Sequence, residues 1–144
     1  MILEYYMTRY GAYPVRDNPS DAGIKVHYNP EDGESITIMP GKNAVLPTGI
    51  KFGIPHGFMI SLMNISSMSV DKSLIVGANV VSAGYEGEIY VDLHNVGTEP
   101  QTIRPLDSIA QAVLIPIVHY RAHEVGDDTI YEERISIKPR YSEE

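Results

Sequence analysis

Residues 64–95, NISSMSVDKSLIVGANVVSAGYEGEIYVDLHN, decide how the rest of the chain is read. A turn, a short polar segment and an apolar run lead into Ala83-Gly84-Tyr85-Glu86-Gly87, and a cleanly alternating strand follows. On that strand Ile89, Val91 and Leu93 point one way, with Glu88, Tyr90, Asp92 and His94 on the other face. Gly84 and Gly87 allow positive φ, so a tight turn is predicted that lifts Tyr85 to where a ligand can stack on it. An ordinary β-hairpin with a surface tyrosine fits the same spacing, and such hairpins are common.

Working outward, short strands recur every eight to twelve positions between turn residues. They are predicted over 2–7, 22–28, 35–39, 44–46, 50–54, 58–63 and 101–103, with Ile24 and Val26 alternating against Lys25 and His27. The run 109–120, IAQAVLIPIVHY, is nearly continuous apolar and reads as a strand buried on both faces, with a bulge or break at Pro116. A last strand is expected over 129–138. Only 66–73 looks helical, with Ser66 or Ser67 as its cap. The fold class is therefore all-β, a sandwich or barrel. The chain is expected to form a single domain over 1–144, with a C-terminal arm from about residue 121 that packs on its own domain or on a neighbouring subunit.

The composition excludes several functions. The 144 residues are 43% hydrophobic and 21% charged, as in a globular domain, and no apolar run reaches membrane-spanning length. A net charge of −8 argues against nucleic acid and anionic membranes as partners. There is no cysteine, the five histidines are scattered, and the residues around His119 and His123 are strand-like, so no metal site is expected from spacing. The opening MILEYYMTRYGAYP has acid and tyrosines where a signal peptide needs a basic start and an apolar core. A cytoplasmic location is expected, or a virion if the source is viral.

The order of the pieces resembles the trimeric dUTPase family over about residues 21–117. The phrases that carry the likeness are DAGIKV at 21–26, LPTGIKFGIPHGF at 46–58, ISSMS at 65–69, GANVVSAGYEGEIYVDLHN at 77–95 and LDSIAQAVLIPI at 106–117. The resemblance implies a distorted jelly-roll barrel, a homotrimer, and active sites at subunit boundaries. It also implies a ligand pocket of Ser66, Ser67, Asn79, Val81, Tyr85 and Gln111, with Tyr85 stacking on the sugar and Gln111 facing phosphate.

The chemistry residues depart from that pattern. Where the family has A-G-x-D-L, with an acid near magnesium, this chain has Lys25. The arginine of P-R-S-S-x-A is missing before Ser66, and that of G-D-R-I-A-Q is Ser108. The general base of G-V-I-D-x-x-Y is Ser82, and no Gly-rich fifth motif follows Gly126. A serine hydroxyl is a very poor base near pH 7, and a lost base forfeits about 10²–10⁴ in rate. Between Ser66 and Gln111, Asp71, Glu86, Glu88, Asp92, Glu99 and Asp107 face only Lys72 and Arg104.

The expectation is thus a dUTPase-fold homotrimer that has lost hydrolysis. On this reading the pocket is vestigial, there is no catalytic residue and no cofactor, and the protein acts by binding a partner or building a symmetric particle. Two alternatives stay open. One is a dUTP diphosphatase with an atypical site, using Mg2+ and converting dUTP to dUMP and pyrophosphate. The other is a nucleotide sponge. The signature of the related deoxycytidine-nucleotide deaminases is weaker here.

Overall fold

Proline, glycine and asparagine interrupt the chain so often that the segments between them are too short for stable helices. β-branched and aromatic residues pair in strands instead. The computed structural model describes residues 1–127. In chain order the elements are β1 (Glu4–Met7), β2 (Ile24–His27), β3 (Ile36–Ile38), β4 (Asn43–Pro47), β5 (Ile50–Gly53), β6 (Phe58–Met63), α1 (Ser66–Lys72), β7 (Leu74–Val76), β8 (Val80–Ser82), β9 (Tyr90–Asn95), β10 (Gln101–Ile103) and β11 (Ser108–Pro116). The strand expected over 129–138 lies outside the described residues. No described helix is long and apolar enough to cross a membrane.

Every named strand pairing is antiparallel. One sheet runs β2-β11-β6-β8 and a second β4-β9-β7, with β1-β5 and β3-β10 as two-stranded ribbons. The all-β expectation holds, with one short helix, but among the described residues the pairings close no barrel. Alternate residues of the strands fill one core, in which Val26, Ile60, Leu74, Val91, Leu93 and Ile109 are fully buried. Each such aliphatic contributes about 1.5–3 kcal/mol.

The turn at 47–49 positions the arm that leads into β9. The Thr48 hydroxyl donates to the Ile89 carbonyl at 2.7 Å, and the Ile89 amide donates to the Ile50 carbonyl at 2.8 Å. Gly49 sits at φ +71, and a Cβ there would come within 2.5 Å of the buried Asn29 amide nitrogen. Glycine is needed at this point for both conformation and space.

Three details differ from the sequence expectation. Neither Ser66 nor Ser67 caps α1: Ile65 takes the N-cap place in extended conformation with no side-chain bond. The buried Met68 holds the helix down instead. The strand expected over 109–120 stops at Pro116, which has no N–H to donate, and Ile117, Val118 and Tyr120 are exposed. β11 pairs with β2 only as far as Ala112, so Leu114 and Ile115, beyond it, are only half-buried.

The largest difference concerns the turn at 83–87. β8 pairs with β6, whereas β9 pairs with β4 and β7, so the two arms belong to different sheets and share no ladder. This is not an ordinary hairpin. Nor does Gly84 or Gly87 adopt positive φ. A gap opens between the arms because each finds its partners elsewhere.

Gly49→Ala is expected to cost about 1–3 kcal/mol. Gly33→Ala, at φ +69 with nothing within 4 Å, should cost less. Thermal midpoints of the two variants measure the difference, which isolates the collision with Asn29.

Candidate active site

The gap between β8 and β9 is a cleft of about 460 Å3, within the range of small-molecule sites. Val81 and Ser82 line one wall, Ile89, Tyr90 and Asp92 the other, and Tyr85 also lines it from the turn. Tyr85 is 45% exposed. Its hydroxyl donates to the Glu88 carbonyl at 2.5 Å. The ring lies so close over Gly87 that a Cβ there would meet the hydroxyl at 2.8 Å. Gly87 therefore serves to make room for the tyrosine.

Asp92 is the carboxylate of the cleft. Asn43 Nδ2 donates to its Oδ1 at 2.9 Å, and the Ala78 amide reaches Oδ2 at 3.3 Å. His94 Nε2 lies 3.0 Å from the same oxygen. Burial pushes the Asp92 carboxyl up, but the bonds from Asn43, His94 and Ala78 outweigh it and hold the group below the usual carboxylate range. A Cβ on Gly77 would fall within 2.5 Å of Oδ2 and 2.7 Å of His94 Nε2, so glycine makes this pair possible. Asp92 is tied to Ala78, four residues before Ser82.

The arms are clamped from outside. Arg9 grips Glu88 with both terminal nitrogens, at 2.9 and 2.6 Å. Thr8 Oγ1 and the Gly49 amide also donate to that carboxylate, at 3.2 and 3.1 Å. Arg9 further donates to the Asn29 carbonyl at 2.8 Å. The two side chains are only 20% and 11% exposed. Burial raises the Glu88 carboxyl, but Arg9 and the amide of Gly49 bring it below its ordinary range. Glu88 is thereby fully engaged in structure.

A second polar face lies on the β2-β11-β6 sheet. Lys25 stands directly opposite Gln111, and Gln111 stands opposite Met63. Residues opposite one another share a face of the sheet. Gln111 Nε2 donates to the Asn64 carbonyl at 3.1 Å, and Ser66 and Ser67 follow as exposed residues at the start of α1. Lys25 Nζ is paired with Asp17. Two residues along the same face, His27 is only 8% exposed, and its Nδ1 has no partner among the described residues. Burial lowers the His27 imidazole below its ordinary value, with Asp17 pulling it up and Lys25 pushing it down.

Of the residues singled out from sequence, Val81, Ser82 and Tyr85 line the cleft, Gln111 lies on the second face, and Ser66 and Ser67 are exposed at the start of α1. Asn79 lines neither: its Nδ2 donates to Ser61 Oγ at 3.2 Å. Three contributors went unrecognised. Asp92 stood out only as one polar residue on the outer side of an alternating strand. Arg9, 79 residues from Glu88, leaves no sequence signal at all. His27 reads as solvent-facing from alternation, yet it is buried.

Comparison with known proteins gives a consistent picture. The dUTPase family model matches residues 9–138. A deoxyuridine 5'-triphosphate nucleotidohydrolase of Rhizobium rhizogenes is 32% identical over 116 residues, covering 79% of this chain and 74% of that protein. One from Chlamydia pneumoniae is 36% identical over 110 residues, 75% and 74% of the two chains. Among solved structures, the dUTPase of phage phi11 of S. aureus, described with a structural Mg(II) ion, superposes with a TM-score of 0.79 at 20% identity. It covers 90% of this chain and 99% of that one. The dUTPase of Staphylococcus bacteriophage 80alpha gives 0.80 at 19% identity over 93% and 96%.

These relatives overturn the expectation of a binding protein that has lost hydrolysis: nucleotidohydrolases match about three quarters of the chain. The expectation rested on Ser82 at the base's place, on Lys25 at the acid's, on the missing arginines and on the absent fifth motif, whereas positioning and electrostatics supply a large share of such a rate without a base. A magnesium site does not fit this chain's donors in the same way. Mg2+ seeks an octahedron of oxygens, one or two of them carboxylate. At the place in question stands an ammonium, Lys25, which repels a divalent cation. Among the described residues no three His, Asp or Glu side chains converge on one point.

Arg9→Met leaves Glu88 without its partner and is expected to cost on the order of 3 kcal/mol, read as a lower urea midpoint. His27 gives a pH signature. Its folded value lies below the ordinary 6.5, so the unfolded chain binds the proton better and stability falls as pH drops from 6.5 through the folded value. Between pH 7 and 5.5 the thermal midpoint of the wild type should fall further than that of His27→Gln.

Proposed function

The chain belongs to the dUTPase family, and we propose that it is a dUTP diphosphatase with an atypical site, releasing dUMP and pyrophosphate. The observation that carries the reading is the open cleft between β8 and β9, with Tyr85 held over Gly87 at its turn. Deoxyuridine enters this cleft and its sugar stacks on Tyr85. The tyrosine hydroxyl is already committed to the Glu88 carbonyl, so the ring is preorganised and little ordering entropy is lost on binding.

The phosphate chain needs the other polar face, that of Ser66, Ser67 and Gln111, which lies on a different part of the sheet system. A homotrimer that sets the cleft of one copy against this face of the next completes the site. Ser82 holds the attacking water by a hydrogen bond but does not remove its proton near pH 7; as the water oxygen bonds to the α-phosphorus and pyrophosphate leaves, that proton passes to solvent. The reaction therefore runs on orientation of water and phosphorus and on the groups that meet the phosphate charge. Turnover is slower than a carboxylate at this place would give.

Purified protein incubated with dUTP should yield dUMP and pyrophosphate in equal amounts, resolved by anion-exchange chromatography. Ser82→Asp is expected to raise kcat by about 10²–10⁴. Tyr85→Ala should mainly raise KM, about tenfold, for loss of stacking worth about 1–1.5 kcal/mol. No dUMP from either the wild type or Ser82→Asp would end this reading.

A further inference from the structure

Lys25 projects from the middle of β2 on the face it shares with Gln111. Its backbone is fixed on both sides, by the β11 ladder and by the bridge to Val15, whose amide and carbonyl both bond it. Its side chain is 36% exposed, and its partner Asp17, on the loop before β2, is 47% exposed. An ion pair between groups this open contributes little, because water screens it and two long side chains must be held still. Lys25 is thus a cation anchored at its root and weakly engaged at its tip.

Gln111 beside it is fixed by its bond to the Asn64 carbonyl. The same stretch of chain continues into Ser66 and Ser67. Its neighbour His27 stays neutral and adds no charge. The face therefore presents one ammonium beside an amide, with two exposed serines close by along the chain, a set of donors that suits phosphate oxygens. It suits a divalent cation poorly, since Lys25 repels one.

We propose that Lys25 binds the phosphate chain of the nucleotide directly, leaving Asp17 to do so, and supplies there the positive charge that a carboxylate-held magnesium would otherwise bring. The inference rests on the dUTP reading above. Lysine acts as a point charge on a flexible stem, so it can follow the phosphates through binding and release. Asp17 acts as the resident competitor that keeps the ammonium occupied when no nucleotide is present.

Titration calorimetry of the full chain tests this, using the non-hydrolysable imido analogue of dUTP and, as a control without phosphate, deoxyuridine, each in EDTA and in Mg2+. The wild type should bind the analogue in EDTA. Lys25→Met should weaken that binding about tenfold or more, the loss of one charge-assisted bond, and leave deoxyuridine unchanged. Asp17→Asn should act in the opposite sense and tighten the analogue about threefold, because the competitor is gone.

If Lys25→Met binds the analogue as tightly as the wild type, or if the wild type binds it only with Mg2+, the inference falls while dUTP turnover stands. Should Lys25→Met not fold, failure of Asp17→Asn to tighten binding overturns it. A wild type that binds neither the analogue nor deoxyuridine removes both the inference and the reading beneath it.

Discussion

The ion pair between Arg9 and Glu88 ties the N-terminal segment to the turn that carries Tyr85. Glu88 sits between the turn that carries Tyr85 and the strand that carries Asp92. Arg9 comes from the N-terminal segment, and Gly49 and Asn29 belong to the loops around the core. A largely buried charge pair gains or loses several kcal/mol according to whether every lone pair is met, and here both carboxylate oxygens are. The Glu88 backbone carbonyl then holds the Tyr85 hydroxyl. The aromatic ring of the cleft is thus placed by a contact almost the whole length of the β core away in sequence.

The cleft itself exists because two adjacent strands decline to pair. β8 completes one sheet on β6, and β9 is taken by β4 and β7. Had they paired, their backbones would lie about 4.8 Å apart and leave no room for a ligand. The hydrogen bonds of Ile89 to Thr48 and Ile50 keep the second arm from closing on the first. Small residues then make the geometry workable: Gly87 under the tyrosine, and Gly77 against Asp92 and His94.

Charge is distributed unevenly over this framework. The carboxylate of the cleft, Asp92, is ionised and meets donors from Asn43, Ala78 and His94. Those bonds lower its basicity, so it takes a proton from water poorly. Across the ladder from the Gln111 amide stands Lys25, paired with Asp17. On the proposed reading the reaction relies on orientation and local charge rather than on a general base.

The sequence by itself determined the all-β class, the positions of nearly all strands, the alternation on β9 that buries Val91 and Leu93, and the family likeness. These follow from local properties: turn residues at short intervals, period-two patterning and contiguous phrases. It also identified Tyr85, Ser82, Lys25 and Gln111 as the residues to watch. Only the tertiary structure decided that the arms around Tyr85 part into separate sheets, that Asn79 is tied to Ser61, that His27 is buried, and that Arg9 holds Glu88. Strand partners and long-range ion pairs depend on which segments meet across the core, and a linear pattern of residues carries no record of those distances.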